Sequence, residues 1–328
     1  MEGCINRKDI TLMNFKNKKY EDKGTLKKRL HKEIKRNWQL YLLVLLPLTY
    51  LIIFKYIPMY GVQIAFRDYK VSLGIWESEW VGLKHFQRFL SNYKFEEILW
   101  NTIIISLYSF ATFPFPIILA LALNSIQNQR FKKLVQTVTY IPHFISTVIM
   151  VGMIIQFLDA RSGVINQIIT LFGGEAQNFM AKPEYFRHIY VWTGVWQGIG
   201  YGSIMYLAAL TSISPELHEA ATLDGANLIQ RIWHVDIPGI MPTISIMLIM
   251  RCGTILGVGY EKVYLMQNSL NLRASEVIST YVYKQGLESA IPQYSYSAAI
   301  GLFVTLINMI MLIICNKLCD KLSGSSLF

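Results

Sequence analysis

Residues 214–227 read Ser214-Pro215-Glu216-Leu217-His218-Glu219-Ala220-Ala221-Thr222-Leu223-Asp224-Gly225-Ala226-Asn227. The stretch predicts a short helix with defined ends. Ser214 supplies a side-chain cap, and Pro215 follows at the first helical position, where its missing N–H is harmless. Glu216 in the first turn favours the positive end of the helix dipole. Gly225 can take the left-handed backbone that ends a helix. A second short helix, Leu228 to His234, should run up to Pro238, so that two short helices lie across one membrane face. The enclosing loop, 211–237, sets Arg231 alone against Glu216, Glu219, Asp224 and Asp236.

Apolar runs flank this loop on both sides. The chain has 328 residues, of which 53% are hydrophobic and only 16% charged. A soluble domain carries about 25% charge, so a soluble enzyme, a disordered scaffold and a secreted disulfide framework are excluded. The expected class is an all-α polytopic membrane protein. Six transmembrane helices are placed at about 39–59, 100–123, 136–158, 188–210, 238–257 and 296–316, each near the ~20 residues that cross a bilayer. Pro114 and Pro116 should kink the second.

The net charge is +10, and residues 1–38 hold twelve Lys/Arg against five Asp/Glu. Residues 1–35 are therefore read as a basic cytoplasmic tail, with a surface helix from about Leu26 to Trp38, and 36–328 as the membrane domain. Arg130, Lys132 and Lys133 add positive charge to the 124–135 loop. The positive-inside rule then places both termini, that loop and 211–237 in the cytoplasm. The acidic loop breaks the rule. It does not read as a headgroup-bound helix either, because those favour Lys and Arg.

Glu219-Ala220-Ala221, Asp224-Gly225-Ala226, Trp233, Ile237-Pro238 and Pro242 resemble the EAA loop of ABC importer permeases, the inner-membrane components of binding-protein-dependent transport systems. Ile237 stands where that pattern has Leu, and Trp233 where Phe is usual. Phe54 to Gly61, Ile141 to Ser146, Tyr260 to Val263 and Ser279 to Tyr283 resemble the LplB-type carbohydrate permeases of that family. The resemblance implies a type I importer fold, a carbohydrate (an oligosaccharide) as solute, and a coupling loop at 211–237 that seats in an ATPase subunit. Glu219, Ala220, Ala221, Asp224, Gly225 and Pro238 would carry the coupling. The implied partners are a second permease subunit, a cytoplasmic ATPase dimer and an extracytoplasmic solute-binding lipoprotein.

No Gly-x-x-x-x-Gly-Lys-Ser/Thr loop occurs, so ATP would be bound by a partner and no cofactor by this chain. No residue pattern suggests catalysis or a metal site, and the four cysteines read as small apolar residues. Charges inside spans are functional suspects because a central one costs at least about 2.5 kcal/mol. Lys55 can snorkel. Arg251 lies thirteen residues beyond Pro238, past the midplane, and either pairs with Glu261 or Asp159 or faces the solute path. Trp192 and Trp196, one turn apart, could stack on sugar rings or pack against a partner permease. An ion- or proton-coupled secondary transporter is the alternative, but it should carry acids within its spans, and these spans have none. For the topology, reporter fusions after residues 38 and 75 should report inside and outside respectively; the opposite pattern would overturn it.

Overall fold

The computed structural model describes residues 32–324 together with 326 and 327. Most of the basic tail, including Leu26 to His31 of the anticipated surface helix, lies outside the described residues. Residues 32–36 are helical and end in a bend at Asn37. The chain divides into two compact units at Val62 and Gln63.

In the first unit, α1 (Trp38–Leu51) continues through a π-helical turn at Ile52–Tyr56 into Ile57–Met59. None of these residues is buried within it. A helix that is apolar all round and covered by nothing is built for lipid. Lys55 is exposed near its far end.

The second unit opens with a small hairpin, β1 (Arg67–Lys70) against β2 (Ser78–Trp80), in antiparallel register Arg67 to Trp80. The Arg67 guanidinium closes it, donating to the Trp76 and Ser78 carbonyls. Next come α2 (Lys84–Leu90), α3 (Phe95–Ala111) and α4 (Pro114–Ser125). Proline N–H groups are missing at Pro114 and Pro116, so the join between α3 and α4 uses tighter bonds, Phe113 N to Phe110 O and Phe115 N to Thr112 O. This is the anticipated irregularity.

The third span departs from expectation. Residues 136–158 are not one helix. α5 (Gln129–Tyr140) is amphipathic, a 3-10 turn follows at Ile141–Phe144, and α6 (Thr147–Phe157) leaves at 102°. Two residues cause the break. Pro142 cannot continue the α-helical ladder, and Ser146 restarts a helix by accepting from Ile149 N. α6 has 11 residues, about 16 Å of helix, so it spans only with the help of its bent partner.

After α7 (Val164–Leu171), the 29-residue α8 (Pro183–Thr211) packs most extensively on α4. The 211–237 loop holds α9 (Pro215–Leu223) and α10 (Leu228–Arg231). The second short helix is not separate: through a π-turn at Ile232–Asp236 it runs straight into α11 (Ile237–Cys252). Span five is thus a 25-residue rod, Leu228–Cys252. α12 (Tyr260–Met266), α13 (Leu272–Ser275), α14 (Ile278–Tyr283) and α15 (Tyr294–Ser323) complete the unit.

Among the described residues four helices are long and apolar enough to cross a membrane, Trp38–Phe66, Phe95–Ser125, Leu228–Cys252 and Tyr294–Lys321, and the bent pair makes five. α8 has the length, about 43 Å at ~1.5 Å per residue. Its tyrosines, tryptophans, Gln197 and glycines make it more polar than the others. The core runs between the helices in patches. Ile105, Met150, Phe186 and Val263 form one, and Leu121, Tyr206, Leu210 and Ile240 another. Cys252, Cys315 and Cys319 pack together with Ile249 as small apolar residues.

Gly200 makes the closest helix contact, since a Cβ there would run into the Thr139 carbonyl at the end of α5. Gly198, two residues away, meets nothing within 4 Å. Gly200→Ala should therefore cost about 1–3 kcal/mol by overpacking against backbone, read as a lower unfolding temperature in detergent. Gly198→Ala should leave that temperature unchanged or raise it.

Candidate functional site

The 211–237 loop is built by local bonds. Gly225 has φ +78°. Ala226 N donates to Ala221 O and Gly225 N to Thr222 O, the Schellman pair that ends a helix and re-aims the chain. Asn227 then starts the next helix with a capping box: its side chain accepts from Gln230 N while the Gln230 side chain accepts from Asn227 N. Ser214 holds the N-cap position of α9, but its hydroxyl makes no capping bond; Pro215 and the backbone alone set that end.

α9 has two faces. Glu216, Glu219, Ala220 and Leu223 recur at helical spacing and are exposed, Leu223 at 89%. His218 and Thr222 point the other way, toward the start of span five. His218 Nε2 stands 3.4 Å from Asp236 Oδ1, and Arg231 Nη1 donates to Thr222 Oγ1 at 3.3 Å. Trp233, 63% exposed, and Ile229 continue the uncovered apolar surface. Pro238 sits in the first turn of α11, directly after the π-turn. Asp236 is the acid that the span boundaries drawn from sequence left outside, and His218 accounts for it.

The second site is a cavity of about 610 Å3 within the helical unit. One wall is the proline break, with Ser109, Phe113 and Pro116. The facing wall is a stripe of Gly194, Gly198 and Gly202 on α8, a helical repeat that keeps side chains out of the space. Arg251 and Lys262 line it, and no Asp or Glu does.

Arg251 is exposed to this space and donates to the Ser109 carbonyl at 3.0 Å. Phe113 N, the ordinary helical donor of that carbonyl, turns to Phe110 O, and Thr112 N and Thr112 Oγ1 bond the same carbonyl at 3.2 and 2.6 Å. Among the described residues Arg251 joins no ion pair. Asp159, one of its two anticipated partners, instead caps its own turn. It accepts from Arg161 N, Ser162 N and Ser162 Oγ. Bonds from Ser162 and Arg161 hold its carboxyl below the usual carboxylate value.

Lys262, which sequence reasoning passed over, donates to the Tyr190 carbonyl at 2.7 Å and lies 4.6 Å over the Tyr190 ring. Burial pushes its ammonium down to about 7. The only sequence signal was a lone base between Tyr260 and the apolar Val263–Met266.

Trp192 and Trp196 are half exposed but lie outside the cavity lining. Trp192 packs on Phe115 and donates to Tyr108 Oη at 2.8 Å. Tyr190, Tyr201 and Tyr206 are the aromatics of α8 that do line the space, and Tyr201 stacks on His143 at 3.8 Å between ring centres.

Apolar helices around a cavity that carries two cations, with a structured acidic loop feeding one of them, define a multi-pass membrane transport component. Residues 112–322 match the family described as binding-protein-dependent transport system inner membrane component, and the chain belongs to that family, whose members are transport permeases rather than enzymes. It is 42% identical over 303 residues to the polygalacturonan/rhamnogalacturonan transport system permease protein YteP of Bacillus subtilis, covering 92% of this chain and 94% of that one. It is also 42% identical to Protein LplB of the same organism, over 90% and 92% of the two chains. In structure it is similar to a chain of a bacterial ABC transporter involved in the import of the acidic polysaccharide alginate. The TM-score is 0.82 and the identity 37%, over 90% of this chain and 99% of that one.

Proposed function

We propose that this chain is one permease half of an ABC importer and that it passes acidic oligosaccharides inward. The observation that carries the solute class is the pairing of Arg251 and Lys262 on one cavity with no carboxylate among its lining residues. A cation removed from bulk water needs an anion or a dense set of acceptors. Here one carbonyl serves each cation, which leaves donors free for a carboxylate-bearing sugar. Arg fits a carboxylate through two parallel N–H bonds, and Lys acts as a point charge. YteP and the alginate transporter, named for acidic polysaccharides, support this reading.

The coupling assignment rests on the exposed face of α9. Glu216, Glu219, Ala220 and Leu223, with Trp233 beside them, form an acidic and apolar surface on a helix whose end Gly225 sets. An ATPase subunit is its partner, with a second permease, a second ATPase copy and an extracytoplasmic binding protein completing the assembly. A related solved complex contains an alginate pentasaccharide-bound periplasmic protein. The chain crosses the membrane six times, α8 and the bent α5–α6 pair included, with both termini in the cytoplasm.

Two tests follow from these assignments. Arg251→Lys keeps charge and loses the fork, so uptake of a uronate oligosaccharide should fall about tenfold with assembly intact, and Arg251→Ala further; normal uptake in both removes the solute role. Lys262 is charged below about 7 and neutral above it. Uptake in proteoliposomes should therefore decline as external pH rises through that value, and Lys262→Arg, charged throughout, should flatten the decline. For the loop, Gly225→Pro cannot adopt positive φ. It should leave the protein inserted while ATPase co-purification or ATP-driven uptake is lost.

A further inference from the structure

The coupling helix and span five are joined by two rungs, and the π-turn at Ile232–Asp236 is what brings the rungs into line. On α9, His218 and Thr222 are four residues apart and share a face. Their partners, Asp236 and Arg231, are five residues apart. In an uninterrupted α-helix two such residues point about 140° away from each other, so only one could reach α9. The π-turn, closed by Ile237 N donating to Ile232 O, absorbs one extra residue. Arg231 and Asp236 then fall in one row, opposite Thr222 at 3.3 Å and His218 at 3.4 Å.

Burial makes the second rung binding. Asp236 is only 5% exposed and its Oδ1 accepts no hydrogen bond, so among the described residues His218, at ion-pair distance, is its only ion-pair partner. A carboxylate in that position is tolerated only while an opposite charge or donor stays beside it. Separating α9 from span five would therefore strand it. π-turns of this kind occur often at functional sites, and this one sits directly before Pro238.

We propose that the His218–Asp236 pair, registered by the π-turn and backed by Arg231–Thr222, is the strut that makes α9 and the inner end of span five move as one body. Both are positioning residues. His218 lies on the side of α9 away from Glu216, Glu219 and Leu223, and Asp236 faces it from the start of span five, so the pair acts on transmission and not on docking. The inference rests on the proposed attachment of an ATPase to that outer face.

The test uses the complete importer in proteoliposomes, with uptake and ATP hydrolysis measured together. His218→Ala and Asp236→Asn should each leave ATPase co-purification and basal hydrolysis intact while solute carried per ATP falls at least fivefold. The exchange variant, His218→Asp with Asp236→His, should recover a substantial part of that ratio, which a simple packing role would not predict. Should the single variants fail to assemble, Thr222→Ala removes only the outer rung, and a drop of at least twofold in the ratio is expected there. An unchanged ratio in whichever of these variants assemble overturns the strut. If the unaltered chain brings down no ATPase at all, the failure belongs to the coupling assignment instead.

Discussion

The Ser109 carbonyl and the Arg251 guanidinium, 3.0 Å apart, meet at a proline join where the helical ladder tightens. Inside a bilayer every carbonyl must find a hydrogen within the protein, so each irregularity in a span must be answered by another part of the chain. Pro114 and Pro116 force tighter bonds at the join of α3 and α4, where Thr112 N, Thr112 Oγ1 and a side chain from span five share the Ser109 carbonyl. The same break opens one wall of the cavity. Pro142 turns the chain through 102°, and Pro238 follows a π-turn that sets the register of the loop contacts. Proline sites thus account for the cavity wall and the bent third span, and the π-turn ahead of Pro238 aligns α9 with span five.

Opposite the proline wall, α8 divides its glycines between two tasks. Gly200 lets the end of α5 approach to backbone contact, whereas Gly194, Gly198 and Gly202 line the cavity, Gly194 close to the Lys262 ammonium and Gly202 close to Pro116. The outer end is then held by polar side chains. Glu276, 7% exposed, receives Lys94 at 3.1 Å and Lys284 at 3.6 Å. Asn101 donates to the Arg273 and Glu276 carbonyls and accepts from Arg187. These bonds fix the segment that carries Lys262 against α8, so the second cation faces the cavity from a rigid support.

What could be read from the sequence was local. Pro215, Gly225 and the apolar runs specify their own backbone within a few residues, and the inner loop formed largely as its residues required. Pro142 was equally visible, but averaging hydropathy over 136–158 hid the amphipathic Gln129–Tyr140 beside it. The Ser214 cap failed because proline at the next position and the backbone bond from Leu217 N to Ser214 O already define the end. Lys262 and Glu276 were illegible for a different reason. Their significance lies in burial against α8 and α3, which no spacing within their own segments encodes. Trp192 and Trp196 show the converse: aromatic residues at helical spacing can mark a helix face without showing which face meets the cavity.

Span five carries the loop at one end and a cavity-lining cation at the other. Asp236 and Arg251 are fifteen residues apart in a continuous helix, about 22 Å. The rod cannot slide alone between them. Its inner half packs through Ile240 on Tyr206, Leu210 and Leu121, and its outer half through Ile249 and Cys252 on Cys315 and Cys319. Close-packed interfaces of this kind shift as bodies rather than stretch. On the proposed reading, a displacement imposed on α9 therefore carries α11 together with the parts of α4, α8 and α15 that grip it. Arg251 moves with its own helix, whereas Lys262 is anchored to the Tyr190 carbonyl on the outer half of α8. The distance between the two cations is then the quantity that coupling can change, and an anionic solute held by both would feel that change directly.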